Sequence, residues 1–223
     1  MKGKVAEVFA SVQGEGIYLA ERQLFVRFFD CNLRCRFCDT PLTAFKEYEP
    51  EELFSELKSH ENGIHSISFT GGEPLLQQDF LKEILKLSHN HGFKNYLETN
   101  GTLPEALKEV IDDIDIVAMD LKLPSSTGLG HFWERHRKFL QIASQKEVFL
   151  KTVICQATQE QDLKEALNLI KGINAYAILV LQPNSYEDYN KIEKKLESFR
   201  DICIEDGITT CIIPQIHKIT RLK

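Results

Sequence analysis

Short runs of apolar, β-branched and aromatic residues recur along the chain, separated by longer stretches with helical spacing. The runs "LFVRFF" (24–29), "SISFT" (66–70), "NYLETN" (95–100), "IDIVAMDL" (114–121), "VFLKTVI" (148–154), "AYAILVLQ" (175–182) and "TTCIIPQ" (209–215) predict strands. Helices are predicted between most of them. "PEELFSELKSH" opens with Pro and acidic residues, and "DFLKEILKLSHNHG" keeps apolar positions at helical spacing until Gly92. "LPEALKEVI", "HFWERHRKFLQIA", "QDLKEALNLIK" and "NKIEKKLESFRDI" follow the same pattern. Strand and helix in alternation imply parallel pairing with right-handed crossovers. A closed eight-unit barrel needs about 250 residues. With six or seven units in 223 residues, the pattern predicts an α/β fold: an incomplete, open parallel β/α barrel, as a single domain over 1–223. Loops after the C-terminal ends of such strands gather on one rim, where sites form.

Charge narrows the partners. Lys+Arg number 27 against 33 Asp+Glu, a formal net of -6, which disfavours nucleic acid and anionic membrane surfaces and favours a small-molecule substrate. "MKGKVAEVFASVQGEG" lacks the apolar core of a signal peptide, and the apolar run at 175–181 is too short to span a bilayer, so a cytoplasmic protein is expected. The "KIEKK" and "ERHRK" groups read as solvated helix faces. Six cysteines in a reducing compartment point to metal or redox use rather than disulfides. Cys155, Cys203 and Cys211 sit in apolar segments and read as small buried residues.

The other three lie together. "CNLRCRFCDTP" (31–41) places Cys31, Cys35 and Cys38 directly after a strand. Structural zinc takes four protein ligands, and so does a fully ligated iron–sulfur cube, so three local cysteines either borrow a distant partner or leave one metal position free. A zinc-stapled binding module with a remote Cys or His is the first alternative, but the second Cys-x2-Cys pair usual in zinc ribbons is missing. Further polar clusters end the apolar runs: "TGGEP" (70–74), "ETNGT" (98–102), "MDLKLPSS" (119–126) and "LQPNS" (181–185). In "TGGEP" two glycines allow close backbone approach to a ligand, and Glu73 can accept from an ammonium. In "LFVRFF", strict alternation sets Arg27 on one face with Phe25 and Phe29. A guanidinium turned into the barrel is costly unless a ligand carboxylate meets it.

The spacing Cys-x3-Cys-x2-Cys resembles the signature of the radical S-adenosylmethionine (SAM) enzymes. That resemblance implies that Cys31, Cys35 and Cys38 hold a [4Fe-4S] cluster whose fourth iron takes SAM, and that one electron cleaves SAM to methionine and a 5′-deoxyadenosyl radical. It further implies that Gly72, Asp120, Leu121, Lys122 and the turn Gln182, Pro183, Asn184, Ser185 contact SAM, with Phe37 near the adenine.

"FASVQGEGIYLAERQLFVRFFDCNLRCRFCDTP", with "TGGEP", "ETNG", "LQP" and the terminal "PQIHK", resembles the 7-carboxy-7-deazaguanine synthase family over nearly the whole chain. The resemblance implies conversion of 6-carboxy-5,6,7,8-tetrahydropterin to 7-carboxy-7-deazaguanine with loss of ammonia, a carbon–nitrogen lyase reaction on the route to 7-deazapurines such as queuosine of tRNA. It implies magnesium held by Thr40, with Asp39 orienting the loop, and substrate contacts from Val12, Gln13, Gly14, Arg27, Thr70, His217 and the C-terminal carboxylate of Lys223. Glu15 in the glycine-flanked "VQGEG" loop adds a carboxylate that could read a pterin edge. A flavodoxin- or ferredoxin-like electron donor and a homodimer also follow from the resemblance. The second alternative, a glycyl-radical-enzyme activating protein, shares the cluster but acts on a protein; "QGEG" and Arg27 argue against it.

Overall fold

The strands that form are those whose alternation can satisfy two different surroundings at once. A computed structural model describes residues 1–40, 42–60 and 63–220. In chain order its elements are β1 (Gly3–Val12), β2 (Arg22–Phe28), β3 (Lys46–Tyr48), α1 (Pro50–Lys58), β4 (Ser66–Gly71), α2 (Gln78–Asn90), β5 (Asn95–Thr99), α3 (Pro104–Val110), β6 (Ile116–Asp120), α4 (Pro124–Thr127), α5 (Trp133–Ala143), β7 (Glu147–Ile154), α6 (Glu160–Ile173), β8 (Leu179–Pro183), α7 (Tyr189–Glu205), β9 (Thr210–Ile212) and α8 (Ile216–Thr220). Among the described residues the strands form one sheet in the order β3-β1-β2-β4-β5-β6-β7-β8-β9. From β2 to β9 every pairing is parallel. The ends of that order do not pair with each other, so the barrel is open, as the pattern predicts.

Side chains of one parity along each strand face the helices. Leu24, Val26, Phe28, Ile67, Phe69, Leu97, Val117, Met119, Leu150, Leu179 and Leu181 share one buried cluster with Leu53, Phe80, Leu107, Phe139, Leu167 and Leu196 of the helices. Each such side chain removed from water contributes about 1.5–3 kcal/mol. The other parity lines the barrel interior, and its character changes along the strands. Tyr96, Ile116, Ala118, Phe149 and Val180 form a small apolar cluster of their own. Two positions further on, Glu98, Asp120, Lys151 and Gln182 take the same inward face and line a cavity. An apolar floor under a polar mouth is thus written into a period-two pattern.

Two expectations need correction. The strand over 24–29 is the second along the chain, not the first: β1 precedes it and pairs antiparallel with both β2 and β3. "GKVAEVFASV" hides this strand because most of its side chains are only partly buried on either face, so no clean alternation results. Nor is "VQGEG" a free loop. Val12 ends β1, and Gln13 is buried at 3% exposure, with its backbone N–H donating to Glu21 O and its carbonyl accepting from Ala20 N.

The two glycines at the end of β4 have a structural cause. Gly71 has φ +124, in the region that favours glycine, and a Cβ on Gly72 would stand 1.8 Å from the carbonyl oxygen of Asp30. Gly72 N donates to Phe28 O at 3.0 Å and Glu73 N to Asp30 O at 2.8 Å, stitching this turn to the start of the cysteine loop. The chain's own backbone fills the space that the absent side chains leave. Gly72→Ala is therefore expected to destabilise the protein by about 3 kcal/mol, the upper end for forcing a methyl into packed space. Thermal denaturation together with iron uptake checks this; a variant matching the parent in both would contradict the packing account.

Candidate functional site

The rim at the C-terminal strand ends encloses a cavity of about 750 Å³. Cys31, Cys35 and Cys38 line it as free thiols, beside Phe37, Thr40, Gly72, Asp120, Lys122, Gln182, Asn184 and Ser185. Val12, Gly14, Arg27, Thr70 and His217 line it from the other side, with Gln13. The fold thus gathers the expected positions around one space, with three exceptions. Leu121 and Pro183 are buried in the strands' own packing rather than on the cavity wall, so any contact from them passes through the backbone. Lys223 lies outside the described residues.

The cysteine loop is fastened from three directions. Arg36 N donates to Thr127 O at 2.9 Å, Asn32 Nδ2 to Thr102 Oγ1 at 2.9 Å, and Asn100 Nδ2 to Asn32 Oδ1 at 2.9 Å. Asn100 Nδ2 also stands 3.9 Å from Cys31 Sγ, and Leu33 N 3.4 Å from it. Burial pushes the Cys31 thiol up and the Cys35 thiol to about 11, with the Lys122 charge opposing in both cases. A bound metal would be needed to hold them as thiolates.

Glu73 does not reach into the cavity. It is fully buried, and its carboxylate accepts from Thr99 Oγ1, Leu75 N and Asn100 N at 2.9, 3.1 and 2.8 Å. Burial pushes its pKa up to about 7 against these three donors. It braces the two loops behind Cys31 instead of offering an acceptor to a ligand. His136 braces the same loop from α5, its Nε2 3.2 Å from Asn100 O, and burial pulls its pKa down to about 4. The native state therefore binds fewer protons than the unfolded state between about pH 6.5 and 4, so this contribution to stability is lost as pH falls through that window. Glu73 acts in the opposite sense over an overlapping range, which makes the comparison with a variant the clean one. The stability advantage of the parent over His136→Gln is expected to shrink by about 3 kcal/mol between pH 7 and pH 4. Urea denaturation at both pH values checks it; a constant difference would contradict a buried neutral imidazole.

On the opposite wall, Arg27 Nε lies 3.2 Å from Glu7 Oε2 and its Nη1 3.4 Å from Thr40 Oγ1, and the guanidinium covers the Phe9 ring at 5.6 Å. Its charge is thus partnered within the chain, which corrects the premise of an unpaired guanidinium. What sets it apart is its position beside Thr40. The Gln13 amide is wholly engaged: Nε2 donates to Gln23 Oε1 and Glu98 Oε1, both at 2.9 Å, and Oε1 accepts from Glu15 N. Thr70 Oγ1 donates to Glu98 Oε2 at 3.1 Å. Gly14 packs against His217, and its carbonyl accepts from Ile216 N. Gln215 Nε2 donates to Glu15 Oε1 at 2.7 Å and Asp39 Oδ2 at 2.9 Å, and Lys218 Nζ lies 2.6 Å from Asp39 Oδ2. Burial would raise Asp39, but Lys218 and Gln215 hold its carboxyl down at about 2.

The Radical SAM superfamily model matches residues 26–196. A curated 7-carboxy-7-deazaguanine synthase of Geobacter sulfurreducens is 38% identical, covering 96% of each chain, and one of Archaeoglobus fulgidus is 37% identical, covering 98% of each. The chain belongs to the 7-carboxy-7-deazaguanine synthase family. The fold agrees: QueE from Escherichia coli superposes with a TM-score of 0.65 at 18% identity, over 95% of this chain and 94% of that one. Streptococcus suis SuiB bound to S-adenosylmethionine superposes with a TM-score of 0.63 at 17% identity, over 82% of this chain and 48% of that one.

Membership in the radical SAM superfamily implies a [4Fe-4S] cluster and SAM, and this family member's residues fit both. Three free thiols share the rim, the number that three irons of a cube require. Asp120 Oδ1 and Gln182 Oε1 are buried without a protein partner, and both residues line the cavity, which suits a ligand carrying hydroxyls or an amine. No described helix is long and apolar enough to cross a membrane. Sequence reasoning missed Glu98, Lys151 and Gln215. The alternation that sets Phe149 inward also sets Lys151 inward, so that signal was present.

Proposed function

We propose that the chain is a magnesium-dependent radical SAM carbon–nitrogen lyase, one domain over 1–223, that converts 6-carboxy-5,6,7,8-tetrahydropterin to 7-carboxy-7-deazaguanine with release of ammonia, in 7-deazapurine (queuosine) biosynthesis. One observation carries the reading beyond family membership: Arg27 and Thr40 meet at 3.4 Å on the wall of the cavity that the three cysteines line. A guanidinium beside a hydroxyl suits a carboxylate shared between a fixed cation and a magnesium ion, because magnesium takes few protein ligands and keeps substrate oxygens.

Cys31, Cys35 and Cys38 would hold the cluster, with Gly72, Asp120, Lys122, Phe37 and the 182–185 turn around SAM. Bound there, the cluster and SAM would supply one-electron radical chemistry. Thr40 would give magnesium its hydroxyl, and Asp39, held by Gln215 and Lys218, keeps the Thr40 loop in place. Arg27 binds the substrate carboxylate and so fixes the ring carbon that bears it. Thr70 and His217 add contacts from β4 and α8. Phe9 and Phe25, stacked at 5.1 Å, and Phe29 keep water from that wall. Holding the reacting carbon against the radical source in a closed, apolar-floored space is the protein's main contribution to rate. A flavodoxin- or ferredoxin-like protein supplies the electron, and the enzyme acts as a cytoplasmic homodimer without nucleic-acid or membrane partners.

Anaerobic incubation with SAM, reductant, magnesium and the carboxytetrahydropterin, followed by mass spectrometry, tests the reading. Product and ammonia are expected in equal amounts, falling when magnesium is chelated. Cleavage of SAM with no ring-contracted product would overturn it.

A further inference from the structure

Lys151 stands on the inner face of β7, where the wall turns from apolar to polar. Its Nζ lies 2.5 Å from Glu15 Oε2 and 3.8 Å from Asp120 Oδ2, and only 12% of the side chain is exposed. Glu15 follows β1, on the side given above to the pterin; Asp120 ends β6, on the side given to SAM. Burial would pull Lys151 down, but Glu15, Asp120 and Glu98 outweigh it, so the ammonium is fixed and moves no proton near neutral pH. Its effect falls on Glu15. Burial alone would raise the Glu15 carboxyl, and the Lys151 charge with the hydrogen bonds from Gln215 and Lys151 holds it below the usual range.

An ionised carboxylate with one donor on each oxygen keeps two acceptor positions and has no proton to give. Such a group matches a ligand edge made of N–H donors. A 2-amino-4-oxo pteridine presents that edge through its amino group and the neighbouring ring N–H. A 2,4-dioxo ring sets an oxygen in place of the amine, and an oxygen facing a buried carboxylate is repelled.

We propose that Lys151 is a positioning and specificity-determining residue, which locks the Glu15 carboxylate as the acceptor for the amino edge of a 2-amino-4-oxo pteridine. The inference rests on the substrate reading above. It is tested with cluster-reconstituted protein holding SAM but no reductant, measuring the dissociation constants of 6-carboxytetrahydropterin and of its 2,4-dioxo analogue, 6-carboxytetrahydrolumazine. The parent is expected to prefer the pterin strongly. Lys151→Met should weaken pterin binding by roughly 10- to 100-fold, the loss of a charge-assisted hydrogen bond, while the lumazine constant stays nearly unchanged. Lys151→Arg should restore most of the preference. The pair Lys151→Met/Glu15→Gln should bind the pterin no worse than Lys151→Met alone, because the two residues act as one unit.

Equal weakening of both ligands, or a parent-like ratio in Lys151→Met, overturns the inference. Should Lys151→Met fail to fold, the paired variant leaves no Glu15 carboxylate unpaired and reads the same ratio; a parent-like preference there overturns it as well. Failure of the parent to convert the carboxytetrahydropterin overturns the proposed function itself, whereas conversion by the parent with an unchanged ratio in the variants overturns only the role of Lys151.

Discussion

Cys35→Ala, reconstituted anaerobically with iron and sulfide, is expected to hold well under one iron per chain where the parent holds about four, and to cleave no SAM. The loss is that large because three thiolates are already one fewer than a fully ligated cube has, so a second vacancy leaves too little to hold it. No other cysteine can stand in. Cys203 is packed in the core between sheet and helices, Cys155 is buried after β7, and Cys211 packs against the apolar floor of the barrel. Iron analysis and the visible absorbance of the reconstituted protein measure the effect. A variant that retained four irons would remove Cys35 from the ligand set.

Arg27→Ala should separate the two halves of the chemistry. Arg27 meets the cysteine loop at Thr40, beyond the last thiol, while Thr127, Thr102 and Asn100 fasten the rest of that loop, so iron content and SAM affinity should match the parent. Conversion of the carboxytetrahydropterin should fall by roughly 10²-fold or more, the scale of about 3 kcal/mol for losing one partner of a hydrogen-bonded charge pair. Glu7, left without Arg27, is 40% exposed and is solvated by water, so folding should survive. Arg27→Lys should recover little, because an ammonium lacks the planar fork that meets a carboxylate on two donors. Formation of 5′-deoxyadenosine and of ring-contracted product, quantified together, distinguishes the outcomes. Parallel loss of SAM binding would show instead that Arg27 holds the site's shape.

Much of this arrangement is legible in the sequence because the strands carry two messages in one alternation. Leu97 and Val117 point to the helices, while Glu98 and Ala118 point inward, and the runs containing them are found from period and β-branched content alone. The polar clusters at strand ends likewise give the rim. What escaped has physical causes. Near an open edge β1 is half-solvated on both faces, so its alternation is blurred, and β3 has only three residues. The reason for Gly72 is the carbonyl of Asp30, a contact between segments more than forty residues apart that no local pattern encodes. Gln13 offers an amide in sequence, yet Gln23, Glu98 and Glu15 engage all of it, and this followed only from the register that sets β1 beside β2. Lys151 was visible as an inward residue, but the strand reads as core until Glu15, from the far end of the chain, is seen to meet it.

The central claim of the proposed function is that Arg27, by holding the substrate carboxylate, would present the ring carbon that bears it for hydrogen abstraction in the cavity that the three cysteines line. Its most direct test is a single turnover with carboxytetrahydropterin carrying deuterium at that carbon, read by mass spectrometry of the recovered SAM, because loss of ammonia is redox-neutral overall and the abstracted hydrogen is handed back as SAM is regenerated. SAM one mass unit heavier is expected. Unlabelled SAM alongside ring-contracted product would contradict it.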